Sequence, residues 1–156
     1  MKILLLSDTH RDIGRIARLL SLYRDVDLIV HCGDLESDCD YIKEQAPHIP
    51  FHAVCGNNDF WSLCPDSLTD ELDGHRVYIT HGHREHVKSG YSGLIAAAKA
   101  KNCALVFYGH THRAVDVMQD GIRLINPGAL CSGAGPFALI TCQNGQIDVK
   151  HLTLED

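Results

Sequence analysis

Residues 2–34 read KILLLSDTHRDIGRIARLLSLYRDVDLIVHCGD, and the alternation within this stretch sets the fold. KILLLS (2–7) is a short apolar run of the kind that forms a buried strand. Residues 12–24 place Ile13, Ile16, Leu19, Leu20 and Tyr23 on one helical face, with Asp12 at the start as its cap. DLIVH (27–31) is a second strand. The pattern then repeats: residues 37–46 (SDCDYIKEQA) are a short helix opened by Ser37, punctuated by Pro47 and Pro50, and FHAVC (51–55) is a third strand. A β-α-β-α-β series of this spacing argues for a parallel sheet covered by helices.

The second half has a different texture. Residues 66–72 and 75–80 are separated by Asp73-Gly74, a strong hairpin signal. Residues 91–101 are helical. Strands follow at 104–108, 114–119, 122–126, 137–142 and 146–153, with hairpin turns at Gln119-Asp120-Gly121 and Gln143-Asn144-Gly145, so the tail reads as a meander. No linker, repeat or low-complexity stretch divides the chain. The expected fold is α/β (α+β by some schemes). It is a four-layer α-β-β-α sandwich of two packed mixed sheets, with residues 1–156 forming one domain.

The chain's 11 histidines are its compositional anomaly, and several stand beside Asp or Gly where apolar runs end: SDTH, VHCGD, THGH and YGHTH. Asp8 and His10 follow the first strand, Asp34 the second and Asn57 the third. His81 follows HRVYIT, and His110 and His112 follow ALVFYG. In open α/β sheets, ligands bind beyond the carboxyl ends of strands. In D-x-H, the side chains of Asp8 and His10 point the same way if the chain is extended, and together they can grip one cation. Gly33 permits an unusual backbone turn from which Asp34 projects. A carboxylate so placed can bridge two cations about 3.5–4 Å apart. Gly56-Asn57-Asn58-Asp59 is a turn by composition, and Asn57 offers a neutral oxygen ligand. Taken singly, each motif also reads as an ordinary turn; two H-x-H pairs at strand ends, added to the others, make a site. The mixed nitrogen and oxygen set suits Mn²⁺, Fe, Zn²⁺, Co²⁺ or Ni²⁺ better than Ca²⁺ or Mg²⁺.

The ordered series D-x-H, G-D, G-N-x-D, H-G-H, G-H-T-H closely resembles that of the calcineurin-like metallophosphoesterase superfamily. The length, the opening MKILLLSDTH and the ending GHTH…INPGAL…ALIT look most like its small bacterial and archaeal branch. That branch includes compact phosphodiesterases and is related to the retromer scaffold subunit. The resemblance runs from residue 2 to about residue 142. It implies one metal on Asp8, His10, Asp34 and His112, and a second on Asp34, Asn57, His81 and His110, with Asp34 bridging. It also implies His81 as the ligand rather than His83, which becomes a neighbour able to contact substrate or leaving group. The expected cofactor is two divalent ions, foremost Mn²⁺. The expected reaction is in-line attack on a small phosphoester by a hydroxide held between the metals, with a phosphomonoesterase or a non-catalytic interaction scaffold as alternatives. The chain departs from many members at Asn58, where they carry a histidine suited to protonating the leaving group, since an amide cannot supply that proton. Asp59 is then expected to buttress the Gly56-Asn57 loop, and Asn126 in INPG to lie in a loop near the site.

Composition bounds the partners. The net charge of −6 gives little purchase on nucleic acid, and no Lys/Arg cluster is visible in the linear sequence. Two divalent cations would add about +4 locally and make an anionic substrate compatible with an acidic chain. No apolar run is long enough to span a membrane, and the first run lacks a cleavage site, so a cytoplasmic location is expected. None of the seven cysteines forms a CxxC pair, which favours free structural thiols. Phe60, Trp61 and Leu63 could pack over the loop or form a partner or homo-oligomer patch.

Overall fold

The parity of apolar residues along each strand separates the layers of the molecule. In the computed structural model, which describes residues 1–156 apart from the Glu36 side chain, β1 (Lys2–Leu6) sends Ile3 and Leu5 to one face and Leu4 and Leu6 to the other. Both faces are covered, so all four are buried, as expected of a strand between two layers. Helices α1 (Ile13–Leu22) and α2 (Glu36–Gln45) alternate with β1, β2 (Leu28–His31) and β3 (Phe51–Ala53), which pair in parallel. Asp12 caps α1 as expected, its side chain accepting from Arg15 N. Ser37 does not cap α2: the helix opens one residue earlier, after an extended Leu35 that makes no side-chain cap. Ile16 and Leu19 are buried beneath α1, whereas Ile13, at the edge of that face, is exposed.

The second sheet holds β4 (Ser67–Leu72), β5 (His75–Thr80), β6 (Leu105–Phe107), β7 (Ala114–Gln119) and β8 (Ile122–Pro127), in the order β4-β5-β6-β8-β7. Helix α3 (Ser92–Ala100) crosses from β5 to β6. The tail is not one meander. The hairpin β7–β8 stays in this sheet, while β9 (Phe137–Gln143) and β10 (Gln146–Leu152) extend the first, giving β10-β9-β1-β2-β3. The three hairpin turns, Asp73-Gly74, Asp120-Gly121 and Asn144-Gly145, have both residues at positive φ, the geometry that matches strand twist.

The result is the α-β-β-α sandwich. Its central layer joins Ile3, Leu5 and Val30 to Val77, Ile79, Phe107 and Ile125. Leu4, Leu6 and Ile29 meet Ile16, Leu19 and Ile42 on one outer side. Tyr78, Val106 and Leu124 meet Leu94, Ile95 and Ala98 on the other. The carboxyl ends of β1, β2, β3, β5 and β6 converge at one end of the stack. Among the described residues, no helix is long and apolar enough to cross a membrane.

Candidate metal centre

At the end of β1 the chain leaves the sheet through Ser7 and Asp8, both fully buried. Asp8 Oδ2 accepts from Ser7 Oγ and from His110 N at 3.1 Å. Its other oxygen, Oδ1, lies 3.1 Å from His112 Nε2, 3.8 Å from His10 Nε2 and 3.9 Å from His81 Nε2. Asp34 Oδ2 lies 3.6 Å from His81 Nε2 and 3.8 Å from His10 Nε2. Asn57 Oδ1 is 3.0 Å from His81 Nε2, and the His110 ring centroid is 5.0 Å from that of His81. All seven sequence-derived candidates thus meet at one place. Two overlapping groups, Asp8-His10-His112 and Asp8-Asp34-His81, keep their donor atoms within 4.8 Å of one another.

Five of these residues sit in the left-handed backbone region: Asp8 (φ 53°), His10 (42°), Asp34 (53°), His110 (66°) and His112 (60°). Non-glycine residues there cost about 1–3 kcal/mol each and persist only where surrounding contacts hold them. Two glycines let the strand ends approach. A Cβ on Gly56 would stand 1.8 Å from Asp34 Oδ1, and one on Gly109 would stand 2.0 Å from Ser7 Oγ.

The proton inventory shows what the site lacks. His81 Nδ1 faces the Cys32 carbonyl at 2.6 Å; a carbonyl only accepts, so Nδ1 carries the proton. Burial drives the His81 imidazole well below its ordinary range, so it is neutral and Nε2 presents a lone pair. That lone pair faces two carboxylates. His10 Nε2, between the same carboxylates, makes no hydrogen bond. Burial, the largest influence on Asp8, pushes its carboxyl up to about 7. Neither Asp8 nor Asp34 has a Lys or Arg partner among the described residues. Carboxylates and imidazole nitrogens that converge without a cationic partner fit divalent cations.

The supporting contacts were only partly foreseen. Asp59 Oδ2 accepts from Gly56 N at 2.7 Å and Asp34 N at 3.0 Å, the buttress anticipated for it. Asn58 turns to Asp34, donating its backbone N–H to Oδ1 at 3.0 Å and its amide to Oδ2 at 2.7 Å. Asn126 is the penultimate residue of β8 rather than part of a loop. Its amide donates to Gly109 O at 2.9 Å and Thr111 Oγ1 at 3.1 Å, pinning the segment that carries His110 and His112. His83 is the nearby imidazole, its ring 5.4 Å from His81 and 6.1 Å from His110, with a buried Nδ1 that makes no hydrogen bond. Beneath the site, a chain unread in the sequence runs from Gly33 N to His31 Nδ1, from His31 Nε2–H to Thr9 Oγ1, and from the Thr9 hydroxyl to Asp38. The pairing of Thr9 with His31 and Asp38 carries no motif signal, because these residues lie 22 and 29 positions from it.

The calcineurin-like phosphoesterase superfamily domain matches residues 1–145. The chain belongs to the calcineurin-like phosphoesterase superfamily. Among its superfamily relatives is a phosphodiesterase of Methanocaldococcus jannaschii, 33% identical over 148 residues that cover 84% of this chain and 85% of the relative. A solved structure from Streptococcus pneumoniae, described as a predicted phosphoesterase, superposes with a TM-score of 0.83 at 26% identity, covering 99% of this chain and 90% of that one. Vps29 from Entamoeba histolytica superposes at 0.79 with 16% identity, covering 98% and 99%, and shares the superfamily's fold.

Proposed function

We propose that this chain, acting as one domain over residues 1–156, is a metal-dependent phosphodiesterase for a small phosphoester. Asp8, His10, Asp34 and His112 hold one divalent ion, and Asp34, Asn57, His81 and His110 hold the other. The observation that carries the reading is the convergence of the His81 and His10 Nε2 atoms on two buried carboxylates that no Lys or Arg neutralises among the described residues. The reach of Asp34 Oδ2 to both imidazoles supports Asp34 as the bridge. When bound, divalent ions acidify water and withdraw charge from phosphoryl oxygens, and among those suited to this donor set Mn²⁺ is our choice. The chain's own residues orient the reaction: Cys32 O fixes the His81 tautomer, and Asn58 and Asp59 hold Asp34. Asn58 cannot protonate a leaving oxygen, and His83 is the neighbouring imidazole to which we assign assistance in its departure. With no acid at position 58, diesters with good leaving groups are expected to react best. A cytoplasmic setting accords with seven free thiols, most of them buried.

The test is turnover of bis(p-nitrophenyl) phosphate by the Mn²⁺-loaded protein, beside p-nitrophenyl phosphate for monoesterase activity. Asp34→Ala and His112→Ala are each expected to lower diesterase kcat/KM at least about 100-fold. Undiminished turnover rejects the site, and a preference for the monoester rejects the diesterase assignment.

One observation favours a second reading, a protein-contact role. Phe60, Trp61 and Leu63 are 78%, 99% and 96% exposed, so they do not pack over the loop and form an apolar patch beside Asn58. Sedimentation of the wild type and Trp61→Ala tests whether this patch joins two copies.

A further inference from the structure

A cleft of about 420 Å³ opens beside the candidate metal centre, between the 3-10 turn Val87–Ser89, the start of α3, the loop after β6 and the first residues of β7. Its polar walls are Lys88, Tyr91, Tyr108, Thr111 and Arg113, and two valines and Gly90 complete it. Every one of these polar side chains can donate a hydrogen bond, and none is a carboxylate. That is unusual in a chain with 20 acidic and 14 basic residues. Arg15, Arg84 and Arg123 are paired with aspartates, whereas neither Lys88 nor Arg113 forms an ion pair among the described residues. Tyr108 is fully buried, yet its hydroxyl makes no hydrogen bond of good geometry. Thr111 Oγ1 already accepts from Asn126 Nδ2 and Arg113 N, which leaves its own proton for another acceptor.

The cleft is contiguous with the metal centre. Thr111 lies between His110 and His112, and Tyr108 and Arg113 flank the same short segment. We propose that this cleft receives a second phosphate of the substrate, so that the preferred substrate is a phosphodiester bearing a further phosphate monoester on one arm. The inference rests on the phosphodiesterase reading above. A phosphate monoester carries close to two negative charges at neutral pH and presents three acceptor oxygens. Lys88 and Arg113 match the charge, and three hydroxyls from two separate segments suit a tetrahedral rather than a planar group. The valines and tyrosine faces suit the organic linker between the phosphates. Lys88 and Arg113 are 25 residues apart, so only the fold makes them a pair.

The experiment compares two substrates with the same leaving group: the p-nitrophenyl ester of thymidine 5′-phosphate and its 3′-phosphorylated counterpart. The Mn²⁺-loaded wild type is expected to prefer the 3′-phosphorylated ester at least about fivefold in kcat/KM. In the Lys88→Ala/Arg113→Ala double variant, that ratio is expected to fall to about one. No preference in the wild type, or an unchanged ratio in the variant, overturns the inference. A second readout needs no metal: amide shifts of the metal-free protein titrated with thymidine 3′,5′-bisphosphate. Shifts at residues 88, 91, 111 and 113, with about tenfold weaker binding in the double variant, are expected; equal binding overturns the cleft. If the wild type hydrolyses neither ester but the binding difference holds, the diesterase reading fails and the anion cleft stands.

Discussion

Asn58 shows how one side chain can be read correctly for its chemistry and incompletely for its role. Its amide was legible as a poor acid, and in the structure it clamps Asp34 through both carboxylate oxygens. Contacts that orient a metal ligand typically contribute 10–100-fold in affinity. Asn58→Ala keeps the backbone bond and loses the amide bond, so Mn²⁺ binding by calorimetry is expected to weaken about tenfold; unchanged affinity would reject the clamp. His31 gives a pH-dependent counterpart. Burial pushes its imidazole from an ordinary 6.5 down to about 4, so between those values the unfolded chain binds a proton that the folded chain refuses. Stability present above pH 6.5 is therefore lost as pH falls towards 4, by about 1.4 kcal/mol per pH unit. Buried His81 acts in the same sense, while Asp8, raised to about 7, acts oppositely as pH rises through that range. His31→Gln removes one proton from this balance. In metal-free protein, the stability gap between wild type and variant, from urea unfolding, is expected to narrow from pH 7 to pH 5. Parallel curves would show that His31 does not resist protonation.

Strand ends are the elements that make the site, and each delivers its ligands only because a neighbouring strand end comes very close. Gly109 is the tightest such approach in the segment carrying His110 and His112, with Ser7 Oγ 2.0 Å and Asp8 Oδ2 2.8 Å from where a Cβ would lie. Gly109→Ala must displace a buried hydroxyl, a carboxylate or the segment itself. It is expected to cost about 1–3 kcal/mol of stability and to weaken metal binding, read by thermal melting and Mn²⁺ titration. A melt and titration matching wild type would mean that the approach is looser than it stands here. Strand and hairpin positions were readable from alternation and from the Asp-Gly and Asn-Gly pairs. The splitting of the tail between two sheets was not, because β9 pairs with β1 more than 130 residues away (Thr141 with Lys2). Nothing local in β8 or β9 distinguishes a continued meander from a change of sheet.

Across the whole molecule, one apolar layer between the sheets fixes the distance between the strand ends of β1 and β2 and those of β5 and β6. Phe107 is among the largest fully buried side chains, and it lies in this layer, two residues before Gly109. Phe107→Ala is expected to cost about 3–5 kcal/mol, measured by urea unfolding. A cost below about 1 kcal/mol would show that the layer can collapse around the gap. By itself the sequence determined the element order and the layered architecture, because strand periodicity is a local signal, and its strand-end motifs together with the family resemblance named the seven candidate ligands, His81 rather than His83 among them. The tertiary structure alone decided which His81 nitrogen faces the carboxylates, that Asn58 binds Asp34, and that Lys88 and Arg113 share a cleft. Those facts depend on the directions and distances of groups far apart in the chain, and no spacing along the chain encodes them.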